Sequence, residues 1–160
     1  MERATKLSAD LGALLAKHKH VLTTAESCTG GGVATAITDI AGSSAWLDRA
    51  FVTYSNEAKM EMLGVQASTL DAHGAVSEPV VIEMVQGAIR NSNATIGVSI
   101  SGIAGPGGGS EEKPVGTVCF AFADNQSWQQ VETMHFTGDR AKVRKKAVEH
   151  ALTQLHQHLL

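Results

Sequence analysis

The chain has 160 residues, of which 43% are hydrophobic and 18% charged, and its net charge is -3. That is about one domain, long enough to bury roughly 70% of its unfolded surface without a disulfide or metal staple. It has no basic run set among aromatics, and no apolar run near the ~20 residues of a membrane span, which argues against nucleic-acid and membrane partners.

Residues 3–18 carry Leu7, Leu11, Leu14 and Leu15 at helical spacing and predict an amphipathic helix. Val21 to Ala25 reads as a short strand. Thr29 is placed to cap a helix running to about Asp39. Ala41 to Ser44 is a loop, and the β-branched and aromatic run Ala50 to Tyr54 predicts a second strand. Ser55-Asn56 opens a short helix through Leu63 that stops at Gly64, and a further helical piece runs from Ser68 to His73. Ser77-Glu78-Pro79 starts a helix with Val80, Val81, Met84, Val85, Ala88 and Ile89 on its inner side.

Thr95 to Ile100 is a third strand. A glycine-rich loop follows from Ser101 to Ser110, closed by Glu111 to Pro114. Val115 to Ala123 and Ser127 to Phe136 read as a hairpin turning at Asp124-Asn125. Gly138-Asp139-Arg140 opens a last helix to about His158. The alternation predicts a single α/β domain over residues 1–160, with a mixed five-stranded sheet and helices on both faces.

Chemistry concentrates in Thr23 to Gly32, where a strand passes through a tight turn into a helix. Ser27 and Cys28 are adjacent nucleophile candidates there, and glycine N–H groups at a helix N-terminus favour an anion or an oxyanion. A serine before such a turn is ordinarily a turn or capping residue, and a free cysteine is ordinarily a small buried hydrophobe. Cys28 and Cys119 are far apart and form no C-x-x-C, so a thiol-keeping cytosol is the expected compartment. The seven histidines form no H-E-x-x-H, and neither a metal nor a cofactor is expected.

Tyr54 and Lys59 flank the exit of the second strand. A lysine desolvated beside a serine can act as a general base, although a lysine on a short helix is more often solvated. Tyr54, whose bland role is core packing, would then assist with its hydroxyl. Gly105, Gly107, Gly108 and Gly109 could bring N–H groups to a ligand, and the N–H groups of Cys28 and Thr29 or of the Gly102–Gly105 turn are candidate oxyanion donors. Arg140 and Arg144, one turn apart, could clamp a phosphate or pair with surface carboxylates.

Five segments in order, Ala25 to Gly31, Tyr54 to Lys59, His73 to Ser77, Ser101 to Pro106 with Lys113 to Thr117, and Gly138 to Arg140, resemble the CinA C-terminal domain family. The resemblance runs from about Leu7 to about Leu155 and is to the stand-alone form, without the N-terminal domain of full-length CinA proteins. It implies a three-layer α/β/α sandwich and homo-oligomers. It also implies deamidation of a small nucleotide, nicotinamide mononucleotide, in pyridine nucleotide salvage. By motif match the nucleophile falls on Ser27, the base on Lys59 and an assisting hydroxyl on Tyr54. Thr29, Gly30, Gly31, Gly102, Gly105, Arg140 and Arg144 are the candidate substrate-binding residues. A non-catalytic nucleotide-binding or regulatory module is the alternative, and a Cys28 hydrolase a third.

Overall fold

A computed structural model describes residues 2–160. In chain order its elements are α1 (Arg3–Lys17), β1 (Leu22–Glu26), α2 (Gly32–Thr38), β2 (Leu47–Val52), α3 (Asn56–Leu63) and α4 (Ala67–His73). They continue as α5 (Glu78–Arg90), β3 (Ile96–Gly102), β4 (Thr117–Asp124), β5 (Gln129–His135) and α6 (Arg140–Leu159). The five strands form one mixed sheet in the order β2-β1-β3-β4-β5. β1 lies parallel to both β2 and β3, whereas β3-β4 and β4-β5 are antiparallel pairs.

The two faces of this sheet are chemically unequal, because side chains alternate along each strand. One face carries Ile96, Val98, Ile100, Val118, Phe120 and Phe122, packed under α1, α2 and α6. The other carries small residues, Ala25, Gly97, Ser99, Cys119, Ala121 and Ala123, on which α5 lies closely, with α3 and α4 beside it. A Cβ at Gly97 would come within 3.2–3.3 Å of Val85 and Ile89 side-chain atoms, so α5 sits where the missing side chain leaves room. The layers are therefore helix, sheet, helix, as expected.

α5 also fixes α3. At Gly87 an added Cβ would lie 1.9 Å from the Leu63 carbonyl oxygen, so only glycine admits the end of α3 at this distance. Arg90 donates to the same carbonyl at 3.1 Å. This contact sets the height at which α3 presents Lys59.

Apart from shifts of one or two residues at element ends, such as β3 running on to Gly102 and β4 starting at Thr117, the elements depart from the sequence expectation in three places. β2 begins at Leu47 and ends at Val52, so Thr53 and Tyr54 lie beyond it. Its Asp48-Arg49 start is an ion pair at 2.7 Å, and charge is ordinary on an edge strand with one neighbour. The loop at Ala41 to Ser44 contains the start of a 3-10 turn, Ser43–Ala45. Thr29 does not cap α2. Gly31 holds the N-cap position with φ 97°, and the capping acceptor comes from Glu26.

Candidate active site

The ladder between β1 and β3 continues one residue past β1, where the Ser27 N–H donates to the Ile100 carbonyl at 3.0 Å. Alternation sends Glu26 and Ser27 to opposite faces. Glu26, fully buried, turns under α2 and accepts from Thr29 Oγ1 (2.7 Å) and from the N–H groups of Val33 (2.9 Å) and Ala34 (3.1 Å). The anion at this helix N-terminus is thus the chain's own carboxylate. Ser27 turns towards α3.

There Lys59 Nζ lies 3.2 Å from Ser27 Oγ and donates to the Thr53 carbonyl at 2.9 Å. Ser55 caps α3, its hydroxyl accepting from the Ala58 N–H at 3.0 Å, and Lys59 leaves the first turn pointing inward. The lysine is only 1% exposed. Among the described residues no carboxylate pairs with it. Burial holds its pKa below the usual lysine range, with Cys28 as the only opposing influence. An ammonium here donates to Ser27, and a neutral amine accepts the serine proton.

Cys28 is buried in the sheet core beneath α6, and burial pushes its thiol up to about 11 despite its own N–H, Arg144 and Lys59 pulling the other way. It is a neutral thiol near pH 7 and makes a poor nucleophile.

Ser27 and Lys59 open onto a cleft of about 300 Å³. Tyr54, Gly102, Gly105 and Arg140, all expected on sequence grounds, line it. Tyr54 is 64% exposed, which corrects the core-packing alternative, and its hydroxyl accepts from Arg140 at 3.2 Å. Arg140 also donates to the Gly105 carbonyl at 2.9 Å, so the two side chains bridge the mouth. The Tyr54 hydroxyl hydrogen-bonds to neither Ser27 nor Lys59.

Thr29, Gly30, Gly31 and Arg144 are outside the cleft lining. Thr29 serves Glu26, and Arg144 donates to the Cys28 carbonyl at 3.0 Å and the Thr29 carbonyl at 3.3 Å. Glu26 takes the Val33 and Ala34 N–H groups of the α2 N-terminus, and the Gly30 N–H donates to the Ser27 carbonyl at 3.0 Å. Sequence reasoning missed Ser101 and Asn56, which line the cleft. The pairing of Glu26 with Ile100 sets Ser101 beside Ser27, and that parallel register was the missing signal.

Residues 4–159 match the CinA C-terminal domain. The chain belongs to the CinA C-terminal domain family. Within it, the chain is 58% identical to the nicotinamide-nucleotide amidohydrolase PncC of Escherichia coli (strain K12), over 97% of this chain and 94% of that protein. It is 43% identical to a CinA-like protein of Chlorobium limicola, spanning 97% of this chain but 37% of that one. Among solved structures, the competence/damage inducible protein CihA of Agrobacterium tumefaciens superposes with a TM-score of 0.96 at 42% identity. That match covers 99% of this chain and 96% of the other. A CinA superfamily protein from Enterobacter cloacae gives 0.93 at 36% identity, covering 98% and 92%.

Proposed function

We propose that this chain is a nicotinamide-nucleotide amidohydrolase that converts the carboxamide of nicotinamide mononucleotide to a carboxylate, releasing ammonia. The observation that carries the reading is a buried lysine amine, without a carboxylate partner, 3.2 Å from a serine hydroxyl at the floor of a cleft. The identity of 58% to a relative bearing that activity in its name supports the substrate class.

Ser27 Oγ attacks the amide carbon while neutral Lys59 takes its proton. The carbonyl oxygen becomes an oxyanion held by backbone N–H groups. Collapse breaks the C–N bond, and the Lys59 ammonium protonates the departing –NH2 group, which leaves as ammonia and returns Lys59 to the neutral amine. Water then attacks the acyl-enzyme with Lys59 again as base, leaving the acid and free Ser27. The Thr53 carbonyl orients the amine throughout. Tyr54 and Arg140 stand at the mouth, where Arg140 meets the phosphate end and the tyrosine hydroxyl assists through substrate. Residues 1–160 act as one domain. Two free, buried cysteines support a cytosolic placement, and no described helix is long and apolar enough to cross a membrane. The protein works as a homo-oligomer.

The test is ammonia release from nicotinamide mononucleotide by wild type, Ser27→Ala and Lys59→Ala in parallel. Both variants are expected to fall by at least ~10²-fold while remaining folded, and full activity in either ends the reading. Calorimetric binding without turnover in wild type selects the non-catalytic module instead.

A further inference from the structure

Arg144 was expected to bind substrate phosphate, yet both of its hydrogen bonds go to the backbone of the turn that carries the nucleophile. It reaches that turn from the second helical turn of α6, across Gly30. A Cβ on Gly30 would lie 3.2 Å from Arg144 Nη2, so the bare glycine leaves the passage the guanidinium occupies. Gly30 also adopts φ 60°, which turns the chain beneath the arginine.

In a trans peptide the carbonyl of one residue and the N–H of the next point in opposite directions. Arg144 holds the Thr29 carbonyl, which orients the Gly30 N–H, and that N–H donates to the Ser27 carbonyl at 3.0 Å. The Ser27 carbonyl in turn faces the Cys28 N–H the other way. Arg144 also holds the Cys28 carbonyl, which does the same for the Thr29 N–H. Among the described residues no protein oxygen accepts from the N–H of Cys28 or of Thr29. Arg144 thus bears on three successive peptide planes, sharing the Thr29 carbonyl with the Gly32 N–H, and two N–H groups without a protein oxygen acceptor follow directly after the nucleophile.

We propose that Arg144 is a positioning residue that fixes the peptide planes after Ser27, so that the Cys28 and Thr29 N–H groups are aligned to receive the oxyanion. Its positive charge against the two carbonyls also polarises the amides and strengthens their N–H groups as donors. The role differs from phosphate binding, because it acts equally on every substrate that Ser27 attacks. It rests on the Ser27 amidohydrolase reading for its amide substrate, and on the geometry of the turn for the rest.

The experiment compares wild type, Arg144→Ala and Arg144→Lys on nicotinamide mononucleotide and on phosphate-free nicotinamide riboside. It also follows labelling of Ser27 by phenylmethylsulfonyl fluoride, read by intact mass. In that labelling Oγ bonds to sulfur, fluoride leaves and Lys59 takes the proton. Arg144→Ala is expected to lower kcat about 10²-fold on both substrates with KM little changed. Labelling slows in parallel, and added guanidinium restores part of the rate. Arg144→Lys, which keeps the charge without the fork, recovers only part of the loss and stands in if Arg144→Ala does not fold. A rise in KM confined to the phosphorylated substrate, with kcat and labelling unchanged, overturns the proposal, as does a variant indistinguishable from wild type. If wild type releases no ammonia, the amide reading has failed, and the labelling rates still decide the role of Arg144.

Discussion

Lys59 shows how one residue's burial becomes chemistry. Its charged form is disfavoured by desolvation, and no carboxylate compensates. In the proposed mechanism the base is therefore competent at a pH below the usual lysine range. kcat/KM should rise with pH through the Lys59 titration with an inflection below the ordinary lysine value of 10.5, and an inflection at 10.5 or above refutes it. Replacing the amine by an apolar side chain of similar length removes a buried polar group. Lys59→Met should then be at least as stable as wild type while losing about 10²–10⁴ in rate. Thermal unfolding and ammonia release measure the two effects separately. Cys28, held near pKa 11, gives the converse case. Cys28→Ala should retain most of the wild-type activity, and alkylation at pH 8 should be slow, so rapid loss of activity with iodoacetamide would revive a thiol nucleophile.

Helices here are held where the site needs them by backbone-level contacts. Glu26 ties the strand end to the turn at Thr29 by one hydrogen bond and to α2 by two, all to buried or half-buried groups. Bonds to a charged acceptor are worth ~1.5–3 kcal/mol, and loss of the partner leaves buried donors unsatisfied. Glu26→Ala should destabilise by roughly 3 kcal/mol or more, with Glu26→Gln in between, read from the denaturant midpoint. Gly87 makes a similar point for α3. Gly87→Ala forces a Cβ against the Leu63 carbonyl, so α3 must move away from α5, and Lys59 moves with it. A loss of stability above ~1 kcal/mol is expected together with a fall in kcat. Unchanged kinetics would detach the α3 position from catalysis. α6 breaks a local rule for a similar reason. Its first seven residues, Arg140 to Lys146, hold five basic side chains and no acidic one at a helix N-terminus, where positive charge is unfavourable. Arg144 and Arg140 have uses at the turn and the cleft mouth that account for two of them.

Over the whole molecule, the shifted groups set the dependence of stability on pH. Asp48 is lowered by the Asn93 N–H and by Arg49, and contributes stability that is lost as pH falls below the ordinary carboxylate value. His158, stacked on Trp128, is lowered chiefly by burial, so its protonation opposes folding below its ordinary 6.5. Lys59 acts in the same sense at higher pH, because the unfolded chain binds the proton more readily. Cys28 and Cys119 are raised by burial and oppose this above 9.0, where the unfolded thiols ionise first. The unfolding midpoint should therefore be higher at pH 8 than at pH 5.5, and the reverse order contradicts these assignments.

Much of this was legible in the chain. Leucine spacing foretold α1, and Ser77-Glu78-Pro79 foretold the start of α5. The alternation of helix and strand foretold the layers, because period-3.6 and period-2 patterns are local. Ser27, Lys59 and Tyr54 could be named from their motifs. The beginning of β2 was not legible, since an edge strand needs no apolar pattern. The cap of α2 was not legible either, since its acceptor, Glu26, lies outside the helix. What only the tertiary structure decided was proximity. The β1-β3 register put Ser101 beside Ser27, and the α3-α5 contact brought Lys59 to 3.2 Å from it. Arg144, 117 positions after Ser27, came down on the turn instead of into the cleft. Composition and periodicity report each residue's own environment. Which distant residues share that environment depends on how the strands order and how closely small side chains let the helices pack.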